Sequence, residues 1–360
     1  MALSLPLVWS DDHRLHEPEA EIWVGVRTPA VEIPARAEAI RTSLVGAGAE
    51  VVAATLHDDA ALEAVHDGEL LAFLATAWRE WEAAGLPDDP GQNRVVPYIF
   101  PHPGLLAGLA PLVPAATWAR PGAFCFDTMT LIGPGTWEAA RAAADAAMTA
   151  ADLVCGGRSA AYACCRPPGH HVTRSAYGGS CYLNNAAIAA EHVRANGVAR
   201  VGIVDIDAHH GNGAQQIFWE RDDVFTGSVH VDPEAGWFPH FLGTAAERGG
   251  GAGRGANLNV PLPPGAADAD WLHAVAEVAA AACGRGAEVM VLALGVDAAG
   301  GDPESPLDVT EEGFREAGRI LGGQGIPVVV VQEGGYDLGS IGGLVLATLQ
   351  GVEEGFAANA

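Results

Sequence analysis

Short apolar runs rich in strand-forming residues alternate with alanine-rich stretches along much of the chain. Residues 160–165, 200–205, 224–230, 289–295 and 327–332 carry the first pattern and predict strands. Helices are predicted over 136–154, 184–196, 270–283 and 310–321, with Asp270 and Thr310 as N-caps and Gly197 and Gly322 as stops. This alternation predicts an α/β chain, a central and mostly parallel sheet flanked by helices on both faces. Such sheets bind ligands beyond the carboxyl ends of their strands. Residues 86–122 break the pattern with eight prolines, too many for a core helix or strand. We expect a long ordered loop there, its apolar content suited to contact with a second subunit. No repeat, linker or low-complexity tail divides the chain, so one domain over 1–360 is expected.

Charge narrows the chemistry. The 19 basic residues are all arginine, against 45 acidic ones, for a formal charge of -26. Without lysine, Schiff-base and lysine general-base catalysis and a Walker-type phosphate loop are excluded. The acidic surface repels phosphate backbones and anionic headgroups, which disfavours nucleic acid and membranes as partners and favours cationic small molecules. Residues 1–6 are too short for a signal peptide and lack its basic flank, and no apolar run reaches membrane-spanning length. A cytoplasmic location is expected. The six cysteines, at 125, 155, 164, 165, 181 and 283, form no Cys-x-x-Cys pair and are expected reduced and buried.

The most informative stretch is 204–213, which follows a predicted strand directly and reads Val-Asp-Ile-Asp-Ala-His-His-Gly-Asn-Gly. Asp205, Asp207 and His209 fall at i, i+2 and i+4, and in extended backbone these point the same way. Carboxylates stacked on one side repel unless a cation intervenes, so the pattern argues for a metal over a solvated turn. Leu-Gly-Val-Asp at 294–297 ends another strand and offers Asp297. Asp207, His209 and Asp297 make a mixed nitrogen and oxygen set with a position open to water, the format of catalytic zinc; iron or cobalt also suits it. Arg-Pro-Pro-Gly-His-His at 166–171 adds two adjacent imidazoles, His170 and His171, whose charge states can be set apart by Asp205 and Asn212. Glu-Gly-Gly-Tyr at 333–336 turns sharply and presents the phenol of Tyr336.

In this order, these motifs resemble the zinc-dependent histone deacetylase and acetylpolyamine amidohydrolase family of arginase-deacetylase fold. The resemblance runs from Trp9 to about Gly355 and implies Asp207, His209 and Asp297 as zinc ligands. It implies His171 as general base and acid oriented by Asn212, His170 as an electrostatic partner held by Asp205, and Tyr336 as hydrogen-bond donor to the amide carbonyl. The backbone oxygen of Gly179 would accept the amide hydrogen, and metal-activated water would be the nucleophile. Asp205, Asp207, His209, Ser228 and Val229 match the family's monovalent cation site, which implies structural potassium. Binuclear ureohydrolases share the fold, but their further carboxylates are replaced here by Gly211 and Ala299, which disfavours arginase-type chemistry.

The amino-terminal third most resembles bacterial acetylpolyamine amidohydrolases, through Trp9–His13, the surroundings of Glu21, and 134–140. Glu21 and Glu304 fall where this subgroup and the eukaryotic polyamine deacetylase carry acidic residues at the tunnel mouth, positions suited to a second ammonium. Ser180 stands where the family has an aromatic tunnel wall, with the opposite wall kept as Phe238, so a wider or one-sided tunnel is expected. Arg36 matches an arginine of the inner acetate channel. The proline-rich loop corresponds to the insertion by which the subgroup dimerises. The resemblance thus implies a zinc amidohydrolase acting on acetylputrescine, acetylcadaverine or acetylspermidine as a homodimer. The alternatives are a protein or small-molecule acetyl-lysine deacetylase with the same site and, from another class, a non-catalytic ligand-binding protein.

Overall fold

A computed structural model describes residues 3–86 and 94–359. Residues 87–93, with Pro87 and Pro90 of the proline-rich stretch, and Met1 and Ala2 lie outside the described residues. The strands are β1 (Leu7–Trp9), β2 (Ala20–Trp23), β3 (Val26–Pro29), β4 (Val51–Ala53), β5 (Ala160–Ala163), β6 (Val201–Asp205), β7 (Val224–Val231), β8 (Asn257–Leu262), β9 (Val289–Leu294) and β10 (Val328–Gln332). The helices are α1 (Ala35–Gly46), α2 (Ala60–Val65), α3 (Gly68–Ala83), α4 (Pro103–Leu106), α5 (Thr136–Cys155), α6 (Asn185–Ala195), α7 (Asn212–Phe218), α8 (Asp268–Gly284), α9 (Glu311–Gly322) and α10 (Ile341–Ala358).

Eight strands form one parallel sheet in the order β4-β1-β5-β10-β9-β6-β7-β8, and β2 and β3 form a separate antiparallel hairpin. Successive side chains of a strand face opposite sides, and two apolar cores divide accordingly. On β10, Val329 and Val331 face the core built with α3, α5 and α6, while Val328 and Val330 face the one built with α8, α9 and α10. All four are fully buried, and burying a valine contributes about 1.5–3 kcal/mol. Both faces of the central strands are therefore covered, which explains why these strands read as near-continuous apolar runs.

All five predicted strands and all four predicted helices are present. Thr310 caps α9 as predicted, its hydroxyl accepting the Gly313 N–H at 3.1 Å. Two other end assignments need correction. Asp270 is not the N-cap of α8: the cap is Ala267, because Ala267 bridges to Asp308 and Asp268 accepts the Thr310 N–H (2.8 Å) and hydroxyl (2.6 Å), fixing the helix start earlier. Gly322 is the last residue of α9, and Gly323 caps it. The cysteines are free, but Cys155 is exposed and Cys283 half-buried, since both sit near helix ends at the surface. Of the proline-rich stretch, the described part forms loops around the short α4 and leaves Leu105, Leu109 and Leu112 exposed. Among the described residues, no helix is long and apolar enough to cross a membrane.

Candidate active site

Neighbouring strands β5, β10, β9, β6 and β7 deliver the motif residues to one end of the sheet. Asp205 closes β6 and is in register with Ser228 on β7. Asp207 and His209 follow β6, Asp297 follows β9, and Glu333 to Tyr336 follow β10. Chain segments far apart in sequence thus converge because their strands are adjacent.

His209 Nδ1 stands 3.1 Å from both Asp207 Oδ1 and Asp297 Oδ2, and one ligand atom from each of the three lies within 4.8 Å of the others. Backbone donors hold both acids: Asp207 Oδ2 accepts the Gly334 N–H at 2.8 Å, and Asp297 Oδ1 the Ala208 N–H at 2.8 Å. Burial and the charge of Asp207 push the Asp297 carboxyl up to about 7. Burial opposes a charge on His209, yet hydrogen bonds to Asp207 and Asp297 hold its affinity for a proton well above the usual range. Two buried carboxylates thus collect a positive charge between them, which a divalent cation supplies in exchange for the imidazole proton. The donor set fits a three-ligand zinc site. A second group, His170, Cys181 and Glu333, also brings ligand-type atoms together. In it, His170 Nδ1 is held by Asp205, Glu333 Oε2 accepts the N–H groups of Gly169 (2.6 Å) and His170 (3.0 Å), and burial pushes the Cys181 thiol well up, away from the thiolate that binds metal.

The two predicted imidazoles lie side by side, ring centroids 4.0 Å apart, in different surroundings. His170 Nδ1 is 2.9 Å from Asp205 Oδ2; burial opposes its charge, but Asp207 and Asp205 raise it to about 10. His171 Nδ1 is 2.6 Å from Asn212 Oδ1, and Asn212 Nδ2 donates to the His171 carbonyl at 3.0 Å. That amide orientation makes Nδ1 the protonated nitrogen and leaves Nε2 as a free base. Burial and the neighbouring charges of His170 and His209 keep His171 neutral, its proton affinity well below the ordinary imidazole value.

Tyr336 is half-buried, and burial holds its phenol protonated. Two residues fix its loop. Asp302 Oδ2 accepts the Tyr336 N–H at 2.7 Å. Arg36, 2% exposed, donates to the carbonyls of Gly335 (2.5 Å) and Glu333 (2.7 Å), with its guanidinium 4.6 Å from the centre of the Tyr336 ring. Glu32, buried 2.8 Å from Arg36 Nη1, balances that charge.

Gly179 has φ +61°, and a Cβ there would lie 2.3 Å from the His171 ring, so only glycine brings this backbone against the imidazole. Its N–H donates to Asp127 Oδ2 at 2.6 Å. The expectation of a one-sided tunnel is corrected here. Phe126, next to Asp127, lies over Gly178, where a Cβ would overlap its ring at 2.3 Å. Its ring faces Phe238 at 6.3 Å between centroids and 28° between planes. A segment other than that of Ser180 thus places an aromatic ring against Phe238. Phe238 also meets the His171 ring edge-on at 4.9 Å. Near the mouth, burial raises Glu21 to about 7 despite the Val31 N–H, with the Glu304 charge adding to the rise. Burial also raises Glu304, whose carbonyl accepts the Trp237 indole N–H at 3.3 Å. Sequence reasoning missed Phe126, Asp127, Asp302, Glu32 and the buried role of Glu333. The aromatic-acid pair Phe126-Asp127, just past the proline-rich loop, was the signal available for the first two.

The site's geometry agrees with comparison to known proteins. The Histone deacetylase domain matches residues 30–352. The chain is 40% identical over 347 residues to the acetylpolyamine amidohydrolase of Mycoplana ramosa, covering 96% of this chain and 99% of that one. It is 38% identical to acetylpolyamine amidohydrolase 1 of Pseudomonas aeruginosa, with 96% and 98% covered. A crystal structure of acetylpolyamine aminohydrolase from Burkholderia pseudomallei superposes with a TM-score of 0.90 at 36% identity, covering 98% of this chain and 99% of that one. The chain belongs to the histone deacetylase family and has its arginase-deacetylase fold. It is a hydrolytic, metal-dependent deacetylase.

Proposed function

We propose that this protein is a zinc-dependent amidohydrolase that removes acetyl groups from acetylated polyamines such as acetylputrescine, acetylcadaverine and acetylspermidine. The observation that carries the reading is the stacking of three features: the Asp207, His209 and Asp297 donor set, a slot between two parallel aromatic rings, and paired carboxylates near its mouth. The relatives named for acetylpolyamines span nearly the full chain, which supports the same substrate class.

Asp207, His209 and Asp297 would hold zinc, which supplies Lewis-acid polarisation of the amide carbonyl and makes water a nucleophile at neutral pH. His171 takes the proton from that water at Nε2 and returns it to the leaving amine, with Asn212 fixing the tautomer. The charged His170, held by Asp205, lowers the proton affinity of His171 and so favours the return. Tyr336 donates to the oxyanion as charge develops there. The Gly179 carbonyl accepts the amide hydrogen, Phe126 and Phe238 clamp the methylene chain, and Glu21 and Glu304 attract the distal ammonium. Arg36 lies where departing acetate would pass. Asp205, Asp207, His209, Ser228 and Val229 would bind structural potassium; the pairing of Asp205 with Ser228 across β6 and β7 brings two of the five together. The exposed leucines of the 86–122 loop support a homodimer built on that insertion, with residues 1–360 as one domain. The free cysteines and the acidic surface suit a cytoplasmic enzyme without nucleic-acid partners.

A hydrolysis panel of acetylpolyamines against acetyl-lysine peptides tests the assignment. We expect kcat/KM to be higher for the acetylpolyamines. A preference for peptides would replace the reading with a protein deacetylase, and an inert metal-replete protein would leave a ligand-binding role.

A further inference from the structure

A separate group of metal-type donors joins three distant parts of the chain. His57 lies between β4 and α2, Asp152 in the last turn of α5, and His192 in the last turn of α6. His57 Nε2 is 3.0 Å from Asp152 Oδ2, and His192 Nε2 is 2.7 Å from Asp152 Oδ1. One ligand atom from each lies within 4.8 Å of the others. The imidazoles are mostly covered, with side chains 12% and 18% exposed, while Asp152 is 47% exposed and opens the group to solvent.

The surroundings of His57 point to an ion. Its Nδ1 is 3.2 Å from Asp145 Oδ1, a buried carboxylate also held by the His57 N–H (2.9 Å) and by Arg141. Metal-binding histidines characteristically donate their second ring N–H to a carboxylate, which fixes the tautomer and turns the other nitrogen's lone pair outward. With Nδ1 committed to Asp145, a neutral His57 aims a bare Nε2 at an Asp152 oxygen. Two acceptors face each other, and a cation between them removes the conflict. Tetrahedral zinc, with donors at about 2.0–2.1 Å, spaces its ligands about 3.3 Å apart. The imidazoles meet different Asp152 oxygens, His192 Nε2 at 2.7 Å and His57 Nε2 at 3.0 Å, both shorter than that spacing, and a rotation of the half-exposed Asp152 would open the group to the ion.

We propose that His57, Asp152 and His192 form a second metal site, for one divalent ion of the zinc type completed by water. The site clips the segment after β4 to helices α5 and α6. Two imidazoles and a carboxylate suit zinc or nickel and not calcium or magnesium. None of the three belongs to the active site, so the inference stands apart from the assigned activity.

The test compares the metal-loaded enzyme with its His192→Ala and Asp152→Asn variants, after dialysis against low-micromolar Zn2+ and elemental analysis. We expect each variant to hold one zinc fewer per chain than the wild type, with deacetylase activity retained. Further Zn2+ should raise the wild-type Tm by more than that of the variants, which keep only the active-site donor set, since binding to the folded state alone stabilises it. The readout is a difference between proteins, so it holds whatever the occupancy of the active site. Equal zinc content in wild type and variants would overturn the proposal and leave a hydrogen-bonded cluster.

Discussion

Replacing Phe126 with Ala removes one of two nearly parallel walls while leaving the donor set and histidine pair in place. The rings lie 6.3 Å apart, somewhat under twice a carbon–carbon contact of about 3.5–4.0 Å. A slight opening therefore admits a single methylene chain with a ring against each side. A fully buried methylene contributes about 0.8 kcal/mol, so about three methylenes stripped of half their cover lose about 1.2 kcal/mol, or about eight-fold in kcat/KM. The loss should scale with chain length, because each methylene between the rings adds to it. The assay is kcat/KM over a series of acetylated diamines of increasing length, with acetylated methylamine as a reference that does not reach the slot. Phe126→Tyr keeps the ring and should stay within about two-fold of wild type. A Phe126→Ala enzyme that loses the same factor on every substrate, methylamine included, would refute the wall and make Phe126 a support for Asp127 and Gly179.

Tyr336→Phe should lower kcat by about 10²–10³ if the phenol is an oxyanion donor, with KM little changed; near-normal turnover removes it from the mechanism. Glu304→Leu should cost polyamine substrates about five-fold in kcat/KM, as about 1 kcal/mol for a partly exposed charge pair, and spare neutral acyl chains; an unchanged preference removes Glu304 from recognition. Glu21 has its carboxyl raised to about 7, so it is protonated below and ionised above that pH, and KM for a diamine should fall as pH rises through it. Glu21→Gln should flatten that inflection, and a profile identical to wild type would show that another group titrates. Arg36→Ala leaves Glu32 buried with Arg166 as its one guanidinium partner, beside the His16 imidazole at 3.7 Å, and should destabilise the fold by about 3–5 kcal/mol. Urea denaturation reads this out, and an unshifted midpoint would mean that the Glu32 charge is met by other means.

Local pattern carried most of the central sheet. The runs over 289–295 and 327–332 are apolar on both faces, so burial is written into every position of β9 and β10. Strand β1 and the edge strand β4 beside it span three residues each, too few for a period to register, and the sequence reading passed over them together with α1 and α10. The zinc-type donors were legible because two of them, Asp207 and His209, share one short segment directly after β6. Asn212 and His171 were paired only through family likeness, since nothing in either motif encodes the 2.6 Å contact between them. Phe126 escaped because a tunnel wall is defined in space: the resemblance compares position 180 with its counterpart, whereas the structure places a ring against Phe238 from position 126. Asp302 escaped for a related reason. It stands two residues before Glu304, but its hold on the Tyr336 N–H depends on two loops meeting after β9 and β10.

The use of arginine at positions 36 and 166 and the layout of the catalytic loops are tied together in the Glu32, Arg36 and Arg166 cluster. Arg166 donates from Nη1 to the carbonyls of His13 (2.6 Å) and His16 (2.7 Å) and from Nη2 to that of Glu32 (3.1 Å). Arg36 spans the carbonyls of Glu333 and Gly335 and the Glu32 carboxylate. One buried acid thus sits between two planar cations whose remaining donors tie the 13–36 segment to the ends of β5 and β10. An ammonium has three donors on a single atom and cannot bridge such widely separated carbonyls, whereas a guanidinium spreads five over a rigid fork. The loop that carries Tyr336 is therefore positioned by bonds to its backbone, while the Arg36 guanidinium lies over the phenol ring at 4.6 Å. That division leaves the phenol free to follow charge on a reacting carbonyl without loosening the fold beneath it.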